Sequence, residues 1–241
     1  MKKIISTLII CAIVTTTLFA FDFSIGVGRL FEESFRNGSW IEGSITYPVG
    51  EDEFRTIDTK VYEGFRKSSN GFFVFFDTKY AVLDVSYASS YVSAVWEGVP
   101  MVFGLFPTED GKVLAGKMEH LNFSLLGKYP IDMGLFNVFP LLGVNYNYVF
   151  GFDDIWGNEY LKDVKEHETA DLSQFGILGG LGADYNLTDT LFLRGQALFN
   201  LRFPSKMAND AADQVEKNTE WSANNTLGTA YKLSLGIGYR F

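Results

Sequence analysis

LGTAYKLSLGIGYRF, Leu227 to Phe241, is the stretch that decides the fold. Its odd positions are Leu227, Thr229, Tyr231, Leu233, Leu235, Ile237, Tyr239 and Phe241; its even positions are Gly228, Ala230, Lys232, Ser234, Gly236, Gly238 and Arg240. A period of two puts the sets on opposite faces of a strand. One face is greasy and ends in aromatics, and the other is small or cationic. Such alternation over five or six residues suits a soluble sandwich, but here it persists for roughly fifteen, longer than an ordinary strand.

The pattern recurs upstream. Leu191, Leu193, Gly195, Ala197, Phe199, Leu201 and Phe203 alternate with Phe192, Arg194, Gln196, Leu198, Asn200 and Arg202. Phe175 to Tyr185 alternates with Gln174 to Asp184, and Asn186 to Thr190 suits a tight reversal between the two. Phe136–Phe150 sets Val144, Tyr146 and Tyr148 on one face, with Pro140 near the strand start or at a bulge. Lys117–Gly127 sets Leu121, Phe123 and Leu125 against Met118, His120, Asn122 and Ser124. Tyr80–Trp96 sets Ala81, Leu83, Val85 and Tyr87 against Asp84, Ser86 and Ala88. Gly71–Phe76 is short, aromatic on both faces, and turns at Asp77-Thr78-Lys79; Phe23, Ile25 and Val27 open the first strand.

These strands predict an all-β chain, an antiparallel transmembrane β-barrel of eight strands, with ten as the alternative. Connections near residues 78, 130 and 188 are short, whereas those over 97–115, 151–173 and 204–226 are long and polar. Short turns at one end and long loops at the other characterise outer-membrane barrels, and eight strands put both termini at the periplasmic end. Residues 31–69 are ambiguous: Ser39–Tyr47 and Phe54–Phe65 form either an extracellular hairpin or two further barrel strands.

Composition is consistent with export. Lys2 and Lys3 precede the apolar run Ile4–Val14, and Ala20 is a small residue at the expected cleavage point, so 1–20 reads as a signal peptide and 21–241 as the barrel domain. Cys11, the only cysteine, follows Ile10 rather than a small residue, which argues against a lipid anchor and leaves the mature chain without thiol chemistry. The net charge is −9; without the two signal lysines it is −11, which argues against nucleic-acid binding. No later apolar run has spanning length, so entry into a membrane requires a closed barrel.

These residues resemble the small outer-membrane barrels of Gram-negative and other diderm bacteria, the group containing OmpA-, OmpX- and OmpW-like proteins. The resemblance rests on the leader, the alternating strands and the terminal Tyr239-Arg240-Phe241; Gly71–Tyr80 also looks like segments of spirochaete barrels. It implies that Leu233, Leu235, Ile237, Tyr239 and Phe241 form the signal read by the barrel-assembly machinery. It also implies outer-membrane lipids as surroundings and a role in surface interaction or membrane stability.

An eight-stranded barrel is just filled by its inward side chains. The expected lumen polar network is Asp84, His120, Asn122, Asp184, Arg194, Gln196, Arg202, Lys232 and Arg240, with Ser86, Ser124 and Asn200 on the same faces. Acids and bases confined there should pair, giving a plug rather than a conduit. His120 shares its face with serine, but a lipid-facing hydrolase also needs a carboxylate behind the histidine, and Glu119 points the other way; no catalytic residue is assigned. Glu166-His167-Glu168 lacks metal-ligand spacing. Gly179-Gly180-Leu181-Gly182 and Gly236-Ile237-Gly238 sit inside strands, so they are no phosphate loops but room for crowded lumen side chains. No cofactor or metal is called for. Asp153, Asp154, Glu159, Asp163, Glu166, Glu168 and Asp171 crowd one loop, where Trp156 and Tyr160, with Trp221 elsewhere, offer contacts to an extracellular ligand. The preferred reading is a non-enzymatic, monomeric surface barrel; the alternative is binding or passage of small hydrophobic molecules, motivated by Phe72–Phe76.

Overall fold

The computed structural model describes residues 23–36, 38–48, 54–97, 111–154, 171–220 and 222–241. The leader, Trp156, Tyr160, Glu166 to Glu168 and Trp221 lie outside them. The strands are β1 (Ser24–Arg36), β2 (Gly38–Pro48), β3 (Phe54–Asp77), β4 (Ala81–Glu97), β5 (Gly111–Lys128), β6 (Ile131–Asp132), β7 (Phe136–Asp154), β8 (Gln174–Asn186), β9 (Leu191–Arg202), β10 (Ser222–Asn225) and β11 (Gly228–Arg240). Among the described residues one helix, α1 (Lys206–Asn218), precedes β10. The sheet runs β1-β11-β9-β8-β7-β5-β4-β3, and β3 pairs back with β1, closing an antiparallel barrel of eight strands. Closure leaves no barrel edge with unpaired backbone groups, which hydrocarbon would penalise.

Residues 31–69 fall on the hairpin reading. β2 pairs with the first half of β3, from Gly38↔Gly64 to Pro48↔Phe54, so both belong to a ribbon that rises beyond the barrel. The second half of β3 enters the barrel and pairs with β1 from Lys67 to Asp77. The short strand expected at Gly71–Phe76 is therefore the end of a 24-residue strand. Arg66 to Asn70 looks like a polar break only because the strand is passing from ribbon to barrel there: Lys67 and Ser69 turn inward while Asn70 stays exposed. Two other expectations need correction. The connection at 204–226 is not simply a polar loop: Ser205 caps α1, its side chain accepting from the Ala208 N–H at 3.2 Å, and β10 then pairs with β2. The turn after β5 also holds β6, paired with the start of β7.

The ladders fix which face meets which solvent. On β11, Tyr231, Leu233, Leu235, Ile237 and Tyr239 are exposed, Leu235 at 66%, while Lys232 and Ser234 are buried. Val27 and Phe31 on β1, Phe72, Val74 and Phe76 on β3, Leu142 and Val144 on β7, and Ile177 and Leu181 on β8 continue this exposed apolar belt. Aromatics collect at its ends. Phe23 stacks on Phe241 with ring centroids 5.7 Å apart beside the chain termini, and Phe35 meets Tyr231 edge-on at 5.1 Å towards the loops. Arg29 is an exception within the belt: it is exposed between Val27 and Phe31, with its guanidinium 4.5 Å from the centroid of the Phe72 ring.

Two substitutions with opposite signs test this surface. Leu235→Arg should destabilise the barrel by about 2–4 kcal/mol when folding is measured in lipid vesicles, because a cation is forced into the belt. Arg29→Leu should stabilise it, by up to about the same amount. An unaffected Leu235→Arg protein would mean that this strand does not face lipid.

Candidate functional site

The lumen is where the polar side chains converge. At the short-turn end Arg194 is fully buried. Its Nε donates to Asp184 Oδ1 at 2.6 Å, and its Nη2 to Asp184 Oδ2 at 2.7 Å and to Asp77 Oδ2 at 2.5 Å. Lys128 Nζ donates to Asp77 Oδ2 at 2.7 Å, and the Ser24 hydroxyl donates to the same oxygen at 3.3 Å. The guanidinium lies 4.4 Å from the ring centroid of Phe75 and 5.1 Å from those of Phe139 and Phe192. Charge and quadrupole thus hold the same cation.

The sequence put aromatics on both faces of Phe72–Phe76 and Phe192 on the face of Arg194, but the expected lumen network named none of these rings. Phe73, Phe75, Phe139 and Phe192 are buried and join Leu30, Val82, Leu126, Leu141, Leu178 and Leu198 in one apolar cluster inside the barrel. Each ring lies against a glycine directly opposite on the neighbouring strand: Phe75 on Gly26, Phe73 on Gly28, Phe139 on Gly182 and Phe192 on Gly238. A Cβ at Gly182 would come within 2.1 Å of the Phe139 ring, and one at Gly26 within 2.2 Å of the Phe75 ring. The register-matched pairing of phenylalanine with glycine was the sequence signal for an aromatic lumen.

Farther from the short turns, Lys232 Nζ reaches across the barrel to Asp84 Oδ1 at 3.0 Å. The Ser234 hydroxyl donates to Gln196 Oε1 at 3.2 Å, and the Asn145 amide donates to Asn122 Oδ1 at 3.2 Å. Arg202 is ion-paired with Glu32 at the outer end. There His120 Nδ1 contacts the Ser90 hydroxyl at 3.2 Å, and Ser90 contacts Ser69 at 2.7 Å. Asp84, His120, Asn122, Asp184, Arg194, Gln196, Arg202 and Lys232 are all buried inside. Arg240 is half-buried at the short-turn rim, 5.2 Å from the Phe192 ring centroid and within 3.5 Å of Asn186 Oδ1. Glu32, Lys67 and Asp77 are buried charged residues that the sequence pattern did not single out. Leu233, Leu235, Ile237, Tyr239 and Phe241 project outward.

A closed ladder with charges inside and an apolar belt outside is an inverted protein, stable only where the surrounding solvent is hydrocarbon. The fold is that of an outer-membrane β-barrel. Its shape is similar to three solved outer-membrane proteins. OprG of Pseudomonas aeruginosa is 18% identical, with a TM-score of 0.45 over 92% of this chain and 96% of OprG. The attachment invasion locus protein Ail of Yersinia pestis is 12% identical, with a TM-score of 0.37 over 92% of this chain and 99% of Ail. Neisserial surface protein A is 11% identical, with a TM-score of 0.38 over 91% of this chain and 97% of that one. No protein-family model and no curated protein sequence matches the chain.

The interior generates two stability tests. Asp84→Ala strands the Lys232 ammonium in a buried site and should cost about 3–5 kcal/mol, most of it recovered in Asp84→Ala/Lys232→Met, as a double-mutant cycle of unfolding measures. Gly182→Ala drives a methyl into the Phe139 ring and should cost about 1–3 kcal/mol in the same measurement. Shortening the ring, in Gly182→Ala/Phe139→Leu, should relieve part of that loss.

Proposed function

We propose that the protein is a non-enzymatic, non-conducting surface barrel whose role in contact or membrane stability is carried by the structure above its outer end. The main support is the filling of the lumen. Arg194, Phe73, Phe75, Phe139 and Phe192 are each no more than 1% exposed, and their packed cluster occupies the short-turn half. A solute passing along the axis would have to displace them.

The outer extension supports the second half of the reading. The ribbon of β2 and β3 carries Ser44 donating to Asp58 at 2.7 Å and Thr46 paired with Thr56 at 2.9 Å. β10 joins β2, and α1 is tied down by Lys206 donating to Asp171 at 2.9 Å and by the Asn225 amide donating to Asn209 Oδ1 at 2.7 Å. The Asp171 and Asp210 carboxylates hold the Lys206 ammonium above its ordinary pKa. A folded, polar extension on a rigid barrel is suited to presenting a contact surface to an extracellular ligand.

Two observations weigh against the other functions. The His120–Ser90 pair is inside the lumen, away from lipid acyl chains, which speaks against a lipid-modifying enzyme. The aromatic bulk of Phe73 and Phe75 is packed inside a continuous ladder, which speaks against lateral passage of hydrophobic molecules. In the same reading the outward row ending at Tyr239 and Phe241 is the segment that the assembly machinery receives, and the folded barrel acts as a monomer.

Planar-bilayer recording tests the occlusion. The purified barrel should give no stable conductance steps; reproducible steps from the wild-type protein would overturn the reading. Single cysteines test the orientation: one at Asp213 in α1 should react with an impermeant maleimide on intact cells, and one at Thr188 should react only after the outer membrane is opened. The reverse pattern would invert the assignment.

A further inference from the structure

The lipid-facing belt is not equally tall all round the barrel. Its inner margin is level: Phe76, Tyr80, Tyr129, Phe136, Tyr185 and Tyr239 are exposed aromatics at the short-turn end of successive strands. Its outer margin is not. On β7 the outward face stays apolar through Val144 and Tyr146 to Phe150, on β8 through Ile177 to Phe175, and on β9 through Phe199 to Phe203. On β3, β4 and β5, which are neighbours on the other side, the apolar run stops at Phe72, Tyr87 and Leu121, which share a row. The next outward row is Asn70, Ser89 and Glu119, and the row beyond it is Ser68, Tyr91 and Lys117. There the Tyr87 hydroxyl donates to Glu119 Oε1 at 3.1 Å, and Lys117 Nζ lies 3.5 Å from the same oxygen.

Arg29 stands at the edge of this low side, on β1 opposite Phe72. It is exposed and lies midway between Phe23 and Phe35 on its strand. At about 3.3 Å per residue and a tilt of about 40°, a level belt would hold it roughly 15 Å from either aromatic end, beyond the reach of its side chain to a headgroup. The Phe72 ring covers one side of the guanidinium at 4.5 Å, but a ring accepts none of its in-plane N–H groups. Its neighbours on the same outward face are Val27, Phe31, Leu235 and Phe72, all exposed and apolar. The first carboxylate outward of it on β1 is Glu33, two rungs on. None of the ion pairs among the described residues includes Arg29. A tilt of the whole barrel would lower the outer margin on one side, but it would draw the opposite inner margin, with Asp189 and Arg240 beside it, into hydrocarbon.

A short apolar wall and a cation at mid-belt are both accommodated by a locally thinner bilayer. With the outer interface lowered along β3, β4 and β5, Asn70, Ser89 and Glu119 are wetted and headgroups come within reach of the arginine. We propose that the outer leaflet is thinned against β1, β3, β4 and β5, and that Arg29 there binds the phosphate of an outer-leaflet lipid. The guanidinium fork matches phosphate oxygens in charge and geometry, and Phe72 holds it flat against the wall. A second copy of the chain fits the same face poorly. A two-fold contact within a membrane matches equal heights, so it would bring Arg29 towards another Arg29, with no carboxylate in its row Arg29–Phe72–Tyr87–Leu121 to relieve it. The site rests only on the barrel's crossing the outer membrane and needs neither the filled lumen nor the outer extension.

The test uses the full mature barrel in vesicles of palmitoyl-oleoyl phosphatidylglycerol, with every arginine carrying ¹³C at Cζ. Dipolar dephasing of the Cζ signal by lipid ³¹P in the solid-state spectrum should be present in the wild type, and Arg29→Leu should lose the share belonging to one residue. Arg29→Leu removes a cation from the belt, so it should fold at least as well as the wild type and the loss is not one of folding. Nitroxides on single cysteines read the thinning. One at Ser89 should meet a water-soluble relaxant, and one at Ile177, comparably far from the short-turn end on the opposite side, should meet only dissolved oxygen. Dephasing unchanged by Arg29→Leu would overturn the proposal. So would a Ser89 label shielded from the water-soluble relaxant as the Ile177 label is, whether hydrocarbon, the chain's own loops or a second copy covers it.

Discussion

The Arg194 guanidinium, at the centre of the short-turn end, links more of the barrel than any other described side chain. It comes from β9, binds Asp184 on adjacent β8 and reaches Asp77 on β3 across the lumen. Through Asp77 it is joined to Lys128 on β5 and Ser24 on β1. Ladder hydrogen bonds hold neighbouring strands; this cluster holds strands that are not neighbours. Replacing a buried ion cluster by apolar residues is often neutral or stabilising, so its presence argues for specificity of closure rather than gross stability. With β3 delivering Asp77 and β8 delivering Asp184, one register satisfies both carboxylates. A two-residue slip of either strand would keep the faces but leave an acid without its partner.

The same cation organises the apolar interior. Phe75, Phe139 and Phe192 pack around it, and each has a glycine opposite in the ladder. The glycines lose side-chain contacts that strands normally use, and the rings replace those contacts from the next strand. This is why a barrel in lipid can carry so many glycines without voids: the space that glycine vacates inside is filled by a neighbour's ring. Outside, the hydrocarbon solvates Leu, Ile and Val directly, so no second protein layer is needed.

Legibility of the sequence followed this division. The alternation of Leu233, Leu235 and Ile237 with Ser234, Gly236 and Gly238 is unambiguous because one face is large and the other small, and it carried the fold class and strand number. Alternation fails where both faces carry similar residues. Phe72 to Phe76 is aromatic on both sides, so periodicity alone does not say that Phe73 and Phe75 turn inward; only their pairing with Gly28 and Gly26 does, and pairing is a long-range property. Arg66 to Asn70 is polar on both sides, so it resembles a turn although it is the middle of β3. Lys67 was hidden in that run. The helix from Lys206 to Asn218 was missed for a different reason. Its local signals, Ser205 as cap and Ala208, Ala212 and Val215 at helical spacing, lie in a connection whose polarity dominated the reading.

The asymmetry of the interior also bears on where chemistry is to be sought. At the short-turn end Arg194, Lys128, Asp77, Asp184 and Ser24 are tied into one cluster and rings fill the glycine seats. Towards the loops the described apolar fill is Val92, Met118 and Val149 with Phe152 and Leu172 packed on them, and serines and asparagines take a larger share of the described inward face. The ribbon of β2 and β3 rises from this same end, and β3 is continuous through it: one strand runs from the outer ribbon through Lys67 and Ser69 to Asp77 in the closing cluster. A load on the ribbon is therefore borne by a strand that is locked at its far end by Arg194. Within the barrel that strand is held by the ladders to β1 and β4 on either side and, at its end, by Asp77 in the Arg194 cluster.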